Sequence, residues 1–184
     1  MKPLIIVESP SKAKTISKYL EGAYEVMSTI GHIKQLPRER LSVDIENDFA
    51  IEDEIIEDKK KLVNELKKIS KSAPEVIIAT DSDREGEAIA ADIASEIDKS
   101  KISRVQFTEI TKQGVQTGLE ERKEIDNDLV KAATTRRIVD RLFGYKISPV
   151  LWSTLQSNMN FVKVNLSAGR VQSAALKILI DRER

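Results

Sequence analysis

Val76-Ile77-Ile78-Ala79-Thr80-Asp81-Ser82-Asp83-Arg84-Glu85-Gly86-Glu87 decides the fold of this chain. An apolar, β-branched run that stops at alternating acids predicts a buried strand carrying carboxylates to its C-terminal end. In open parallel sheets that edge is where ligands bind. A single Asp there is explained by helix capping, because acids near a helix N-terminus are favoured by about 0.3–1 kcal/mol each. Asp81, Asp83, Glu85 and Glu87 exceed the needs of one cap. Like charges this close repel unless a cation sits among them. Leu4-Ile5-Ile6-Val7 repeats the pattern and delivers Glu8. The two strands predict one shared magnesium site suited to phosphate chemistry, since magnesium is held by one or two carboxylates, waters and substrate phosphate.

Outward from this stretch, strands and helices alternate. Strand 4–8 leads to a helix near 11–20 that Ser11 can cap, then to a strand from Tyr24 to Ile30 ended by Gly31-His32. A loop with Pro37 runs to about 54, and Lys59 to Ser72 reads as an amphipathic helix with Leu62, Leu66 and Ile69 inward. The strand at 76–80 feeds a helix beginning near Glu85, with Ile89, Ile93 and Ile97 as its core stripe. Val105-Gln106-Phe107 predicts a further strand, and Thr111 a cap for the next helix. The rhythm is that of an α/β fold with a mainly parallel sheet sandwiched by helices. After about residue 123 the strands cease: helical stretches near 126–147 and 168–184 flank a segment, 148–167, that holds Pro149 and Trp152, and Trp152 is expected in the core.

Composition narrows the function. With no cysteine in 184 residues, disulfides, thiolate zinc sites and cysteine nucleophiles are excluded. No apolar run approaches the ~20 residues that span a bilayer, and the N-terminal apolar run is too short for a signal peptide, so no membrane and a cytoplasmic location are expected. The net charge is zero but uneven: residues 131–184 carry ten Lys or Arg and three acids, a net +7, leaving −7 on the other 130. Such asymmetry fits either a basic surface for a polyanion or a solvated helical face. No Gly-rich P-loop occurs, so no ATP site is expected.

Four further groups are candidates. Lys12, one turn after Glu8, is placed to neutralise a phosphate at a helix N-terminus or to sit in solvent. His32, the only histidine, follows a strand end and a glycine. Lone histidines are mostly structural, yet this one can face the same site, and without a second His zinc is not expected. Arg170 and Gln172 open the last helix and suit a phosphate backbone, as do Arg136 and Arg137 on the helix before it.

Ile6-Val7-Glu8-Ser9-Pro10-Ser11-Lys12-Ala13-Lys14-Thr15, Gly31-His32-Ile33 and Ala79 to Ala90 resemble the Toprim domain of the type IA DNA topoisomerases, on their bacterial topoisomerase I branch. Phe107 to Thr111, Asp140 to Tyr145, Ser148 to Trp152 and Ser167 to Ser173 match the same family in the same order. The resemblance implies a Toprim domain over 1–122 and the first part of an α-helical, DNA-holding domain over 123–184. It implies an enzyme that relaxes negatively supercoiled DNA without ATP, by cutting one strand through a 5′-phosphotyrosine, passing the other and resealing. Glu8 would be acid and base, and Lys12 would stabilise the charged transition state. Asp81, Asp83 and Glu85, with Glu8, would hold Mg2+. His32, Arg137, Asp140, Arg170 and Gln172 would hold or orient the single strand. The whole enzyme would be monomeric, cytoplasmic and nucleoid-associated. The family's nucleophilic tyrosine lies in a later domain, and Tyr19, Tyr24 and Tyr145 stand in no such motif. The chain is therefore expected to be an amino-terminal fragment, with a metal site and some DNA affinity but no cleavage or relaxation of its own. Two other readings stay open: a Toprim-type metal-dependent nuclease, and a non-catalytic DNA-binding module.

Overall fold

The computed structural model describes residues 1–156 and 166–184. Two compact units divide the chain: Met1–Gln35 with Asp53–Thr134, and Leu36–Glu52 with Thr135–Arg184.

The first unit is built on a parallel sheet. Strands β1 (Leu4–Val7), β2 (Glu25–Ser28), β7 (Val76–Ile78) and β8 (Ile102–Arg104) lie in the order β2-β1-β7-β8. All pairs are parallel, with Ile5 opposite Ile77 and Ile77 opposite Ser103. Every residue of β1 and β7 is buried, as expected of central strands covered on both faces. Successive side chains point to opposite faces, and two cores result. Leu4, Ile6, Val76 and Ile78 pack with Val63 and Leu66 of helix α2 (Lys60–Ser72) and Ile89 and Ile93 of α3 (Arg84–Glu96). Ile5, Val7, Ile77 and Ala79 pack with Ile16 of α1 (Pro10–Tyr19) and Val115 of α4 (Lys112–Glu120). The expected sandwich is the observed one.

Caps account for the helix starts. Ser9, not Ser11, caps α1, with Pro10 in the first turn, where its missing N–H costs nothing. Asp83 caps α3 and Thr111 caps α4, accepting from the amides of Gly86 and Gly114. The last strand of the sheet lies at 102–104 and not at 105–107, because the chain joins β7 directly after a 3₁₀ turn at Lys99–Lys101. Val105 still donates to the Ile78 carbonyl. Residues 34–55, expected as loop, contain two short antiparallel ladders. Within the first unit β3 (Lys34–Gln35) pairs with β6 (Glu54–Ile55). Within the second, β4 (Val43–Asp44) pairs with β5 (Ala50–Ile51).

The long helix α5 (Asn127–Leu151) begins in the first unit and continues through the second. It runs through Pro149, where a break was expected. The proline falls in the last turn, and a π-helical turn at Trp152–Gln156 follows, a common accommodation of a disturbed hydrogen-bond ladder. Trp152 is 45% exposed, contrary to the core position expected of it. Its indole N–H donates to the Leu166 carbonyl at 2.6 Å. Part of the 148–167 segment, 157–165, lies outside the described residues. The Arg141 guanidinium lies over the Tyr145 ring, 5.2 Å from its centroid, and donates to the Leu36 carbonyl. Helix α6 (Arg170–Glu183) exposes Val171, Leu176, Ile178 and Leu179. Among the described residues no helix is long and apolar enough to cross a membrane.

Candidate active site

Adjacent parallel strands bring their C-terminal residues side by side, and here the result is ionic. Glu8 follows β1 and Asp81 follows β7 by three residues. The Lys12 ammonium, in the first turn of α1, pairs with both, reaching Oε1 of Glu8 and Oδ1 of Asp81. The Asp81 amide donates to Glu8 Oε2 at 3.0 Å, so the backbone of one strand end is tied to the side chain of the other. Partial burial disfavours the charged form of Lys12, but its hydrogen bonds to Asp81 and Glu8 outweigh that and raise its pKa above the usual lysine value. For Asp81 burial pushes upward, and the hydrogen bond from Lys12 together with the neighbouring charges lowers the carboxyl below its ordinary range. The site therefore keeps the Lys12 ammonium and the Asp81 carboxylate paired at neutral pH.

The turn from β7 into α3 has no spare volume. A Cβ on Gly86 would lie 2.2 Å from the Asp81 carbonyl oxygen, and Thr80 Oγ1 donates to the Gly86 carbonyl at 2.7 Å. Behind the turn, Arg104 and Glu87 form an ion pair with both side chains fully buried. The guanidinium also donates to the carbonyls of Ile78 and Asp81, at 3.1 and 2.8 Å. The Glu87 carboxylate accepts further from Gln106 Nε2 and from the Asp126 amide. Every charge in this pair is thus matched, the condition for burying it. Arg104 stands just before the strand expected at 105–107, and no local pattern in the sequence marks it. Glu87 was visible only as another member of the acidic run.

Of the remaining predicted residues of the first unit, His32 and Glu85 lie together. His32 Nε2 lies 3.6 Å from Glu85 and Nδ1 3.5 Å from Asp92, so the imidazole bridges two acids of α3. Asp83 spends one oxygen as the α3 cap. Among the described residues no three acids or imidazoles are drawn together into a ready-made cation cage. The cation between Glu8 and Asp81 is the protein's own ammonium. The donors nevertheless fit magnesium chemically: Asp81, Asp83 and Glu85 offer only hard oxygens, and Asp81 is 60% exposed to an incoming ion and its waters.

In the second unit Asp140 accepts from Arg170 Nε at 2.6 Å and lies 3.8 Å from Arg136 Nε. The Arg170 hydrogen bond holds the Asp140 carboxyl below its usual range. Arg137 is half-buried on α5, and the Gln172 amide folds back over Gly169 at the start of α6.

Comparison with known proteins agrees with this geometry. The Toprim domain family matches residues 3–110, and the DNA topoisomerase family matches residues 124–184. The full-length topoisomerase I of Thermotoga maritima is a solved structure similar to this chain, 47% identical, with a TM-score of 0.85. The match covers 98% of this chain and 30% of that one, so the chain spans less than a third of that protein's length. An acid-ended parallel sheet, the Toprim match over more than half of the residues and the topoisomerase match behind it place the chain among the bacterial type IA DNA topoisomerases.

Proposed function

We propose that this chain supplies the acid and phosphate-handling half of an enzyme that relaxes negatively supercoiled DNA without ATP, by single-strand cleavage, passage and religation through a 5′-phosphotyrosine. What supports the reading is Lys12, held between Glu8 and Asp81 at the C-terminal edge of the sheet. Glu8 protonates the 3′ oxygen as the phosphorus–oxygen bond breaks, and its carboxylate takes that proton back on resealing. Lys12 remains cationic throughout, because its pKa is raised, and it faces the negative charge that builds on the phosphate. Asp81, Asp83 and Glu85 hold Mg2+, which when bound neutralises phosphate charge during resealing. His32, anchored by Glu85 and Asp92, orients the strand. Residues 1–122 form the Toprim domain. Residues 123–184 belong to the helical domain, where Arg137, Asp140, Arg170 and Gln172 hold single-stranded DNA.

The nucleophile of this reaction is a tyrosine in a motif that none of Tyr19, Tyr24 and Tyr145 matches. The chain by itself therefore binds DNA without cutting or relaxing it. A denaturing gel of end-labelled single-stranded DNA, incubated with the chain in magnesium or EDTA, tests this. Intact DNA is expected in both lanes. Magnesium-dependent fragments, lost in Asp81→Asn, would instead make the chain a nuclease that activates water.

A further inference from the structure

Five non-glycine residues among those described adopt positive φ, and Ile30, at 56°, is the only β-branched one. The left-handed region is a true outlier for such a side chain. Conformations of this kind persist where their surroundings over-determine them, and they cluster at functional sites. The surroundings of Ile30 do so. Lys59 Nζ donates to the carbonyls of both Thr29 and Ile30, at 2.9 and 3.0 Å. The amides on either side are fixed to the end of β1 and the residue after it: Thr29 donates to the Val7 carbonyl and Gly31 to the Glu8 carbonyl, each at 2.9 Å. The Ile30 amide itself donates to Ser28 Oγ at 3.2 Å.

The clamp serves no core packing. Thr29 is fully buried while Ile30, its neighbour, is 61% exposed. A strained backbone thus holds an apolar side chain out to solvent, one residue from the amide bound to Glu8 and two from His32. A glycine would adopt this turn without strain, so the side chain itself needs a reason.

We infer that Ile30 is a nucleobase-contacting wedge, which packs on a base of the DNA strand whose phosphate lies at Glu8 and Lys12. This rests on the proposed function. The occupant follows from the charges around it. Gly31, next to Ile30, is tied to Glu8, the partner of Lys12, so a phosphate received at Lys12 would lie near this turn, and in a single strand the apolar surface next to a phosphate is the base. Packing of this kind tolerates any sequence, because every base has an apolar face.

The test is fluorescence anisotropy of the chain on a single-stranded oligonucleotide, intact or with one abasic position walked along it. Ile30→Ala is expected to weaken binding to intact DNA by about three- to ten-fold. One abasic position should weaken the parent chain by a similar factor and leave Ile30→Ala unaffected, the coupling expected of two groups in contact. Ile30→Gly should weaken binding equally while raising Tm by roughly 2 °C, since the strain is gone. Parent-like affinity of Ile30→Ala on intact DNA would overturn the inference and leave the proposed function standing. Equal losses on intact and abasic DNA at every position would put the side chain on the sugar and overturn it as well. Failure of the parent chain to bind DNA at all would remove the proposed function, and the wedge with it.

Discussion

The amide of Asp81 donates to the carboxylate of Glu8 at 3.0 Å across 73 positions of sequence, and Lys12 closes the same two residues from the other side. Neither acid is held by its own strand alone. Each depends on the other strand and on the first turn of α1, so the three residues act as one electrostatic unit.

Removing the ammonium should therefore change how stability responds to pH. Asp81, with its pKa lowered, contributes stability above about pH 4 that is lost as pH falls through its folded value. Lys12, with its pKa raised, contributes stability below about pH 10 that is lost as pH rises through its folded value. Lys12→Met leaves two carboxylates without their cation. The urea midpoint of the variant should fall increasingly below that of the parent between pH 3 and pH 6. A constant difference across that range would mean the pair is not coupled in solution.

The metal assignment has its own variant. Asp81→Asn with Asp83→Asn should abolish magnesium binding in calorimetry while the fold persists, because Asn caps a helix as well as Asp does. Asp83→Ala, by contrast, should cost about 1 kcal/mol from the lost cap alone. Magnesium affinity that survives the double substitution would move the ion elsewhere.

The buried ion pair predicts strong non-additivity. Arg104→Met leaves Glu87 charged and unpaired inside the protein, at a cost of about 3–5 kcal/mol. Adding Glu87→Met should recover a large part of that loss, since two apolar side chains need no partner. Chemical denaturation of the two singles and the double closes the cycle. Additive losses would show that the pair does not act as a pair.

Gly86→Ala meets backbone, not a flexible side chain, because its Cβ would lie 2.2 Å from the Asp81 carbonyl oxygen. Overpacking typically costs about 1–3 kcal/mol, and this contact belongs at the upper end. Thermal unfolding should show it, together with weakened magnesium binding as the turn is displaced. A parent-like Tm would mean the turn relaxes freely.

For the second unit, Arg170→Ala should weaken single-stranded DNA binding and reduce its salt slope by about 0.7, as loss of one phosphate contact requires. Asp140→Asn should weaken binding too, by removing the carboxylate that orients Arg170, while leaving the salt slope near that of the parent. Titration over several salt concentrations separates these effects, and an Arg170→Ala slope equal to that of the parent would take Arg170 out of the DNA surface.

What was legible in the sequence follows from which forces are local. Leu4–Val7 and Val76–Ile78 read as buried strands because burial on both faces demands an unbroken apolar run, and the acids behind them followed directly. The roles of Arg104, Glu87 and Lys59 were not legible because they are set by groups distant in sequence: Glu87 and Arg104 meet across 17 positions, and Lys59 reaches Ile30 across 29. The ladder of β3 with β6 was invisible for a related reason, since two-residue strands carry no periodicity to read. Pro149 misled because position within a helix, not identity alone, decides what a proline does. Trp152 was expected in the core, while its N–H partner, the Leu166 carbonyl, holds it at the surface.

The strand order β2-β1-β7-β8 has a consequence for how the protein is made. Glu8 and Lys12 emerge early in synthesis, yet Asp81 joins them only when β7 docks against β1. Closing that long loop is an entropic step that precedes any reward from contact, and parallel pairings of this kind form slowly. Until then Lys12 has one acid instead of two, and no chain with β7 undocked carries the triad. Docking of β7 on β1 and assembly of these three residues are thus a single event.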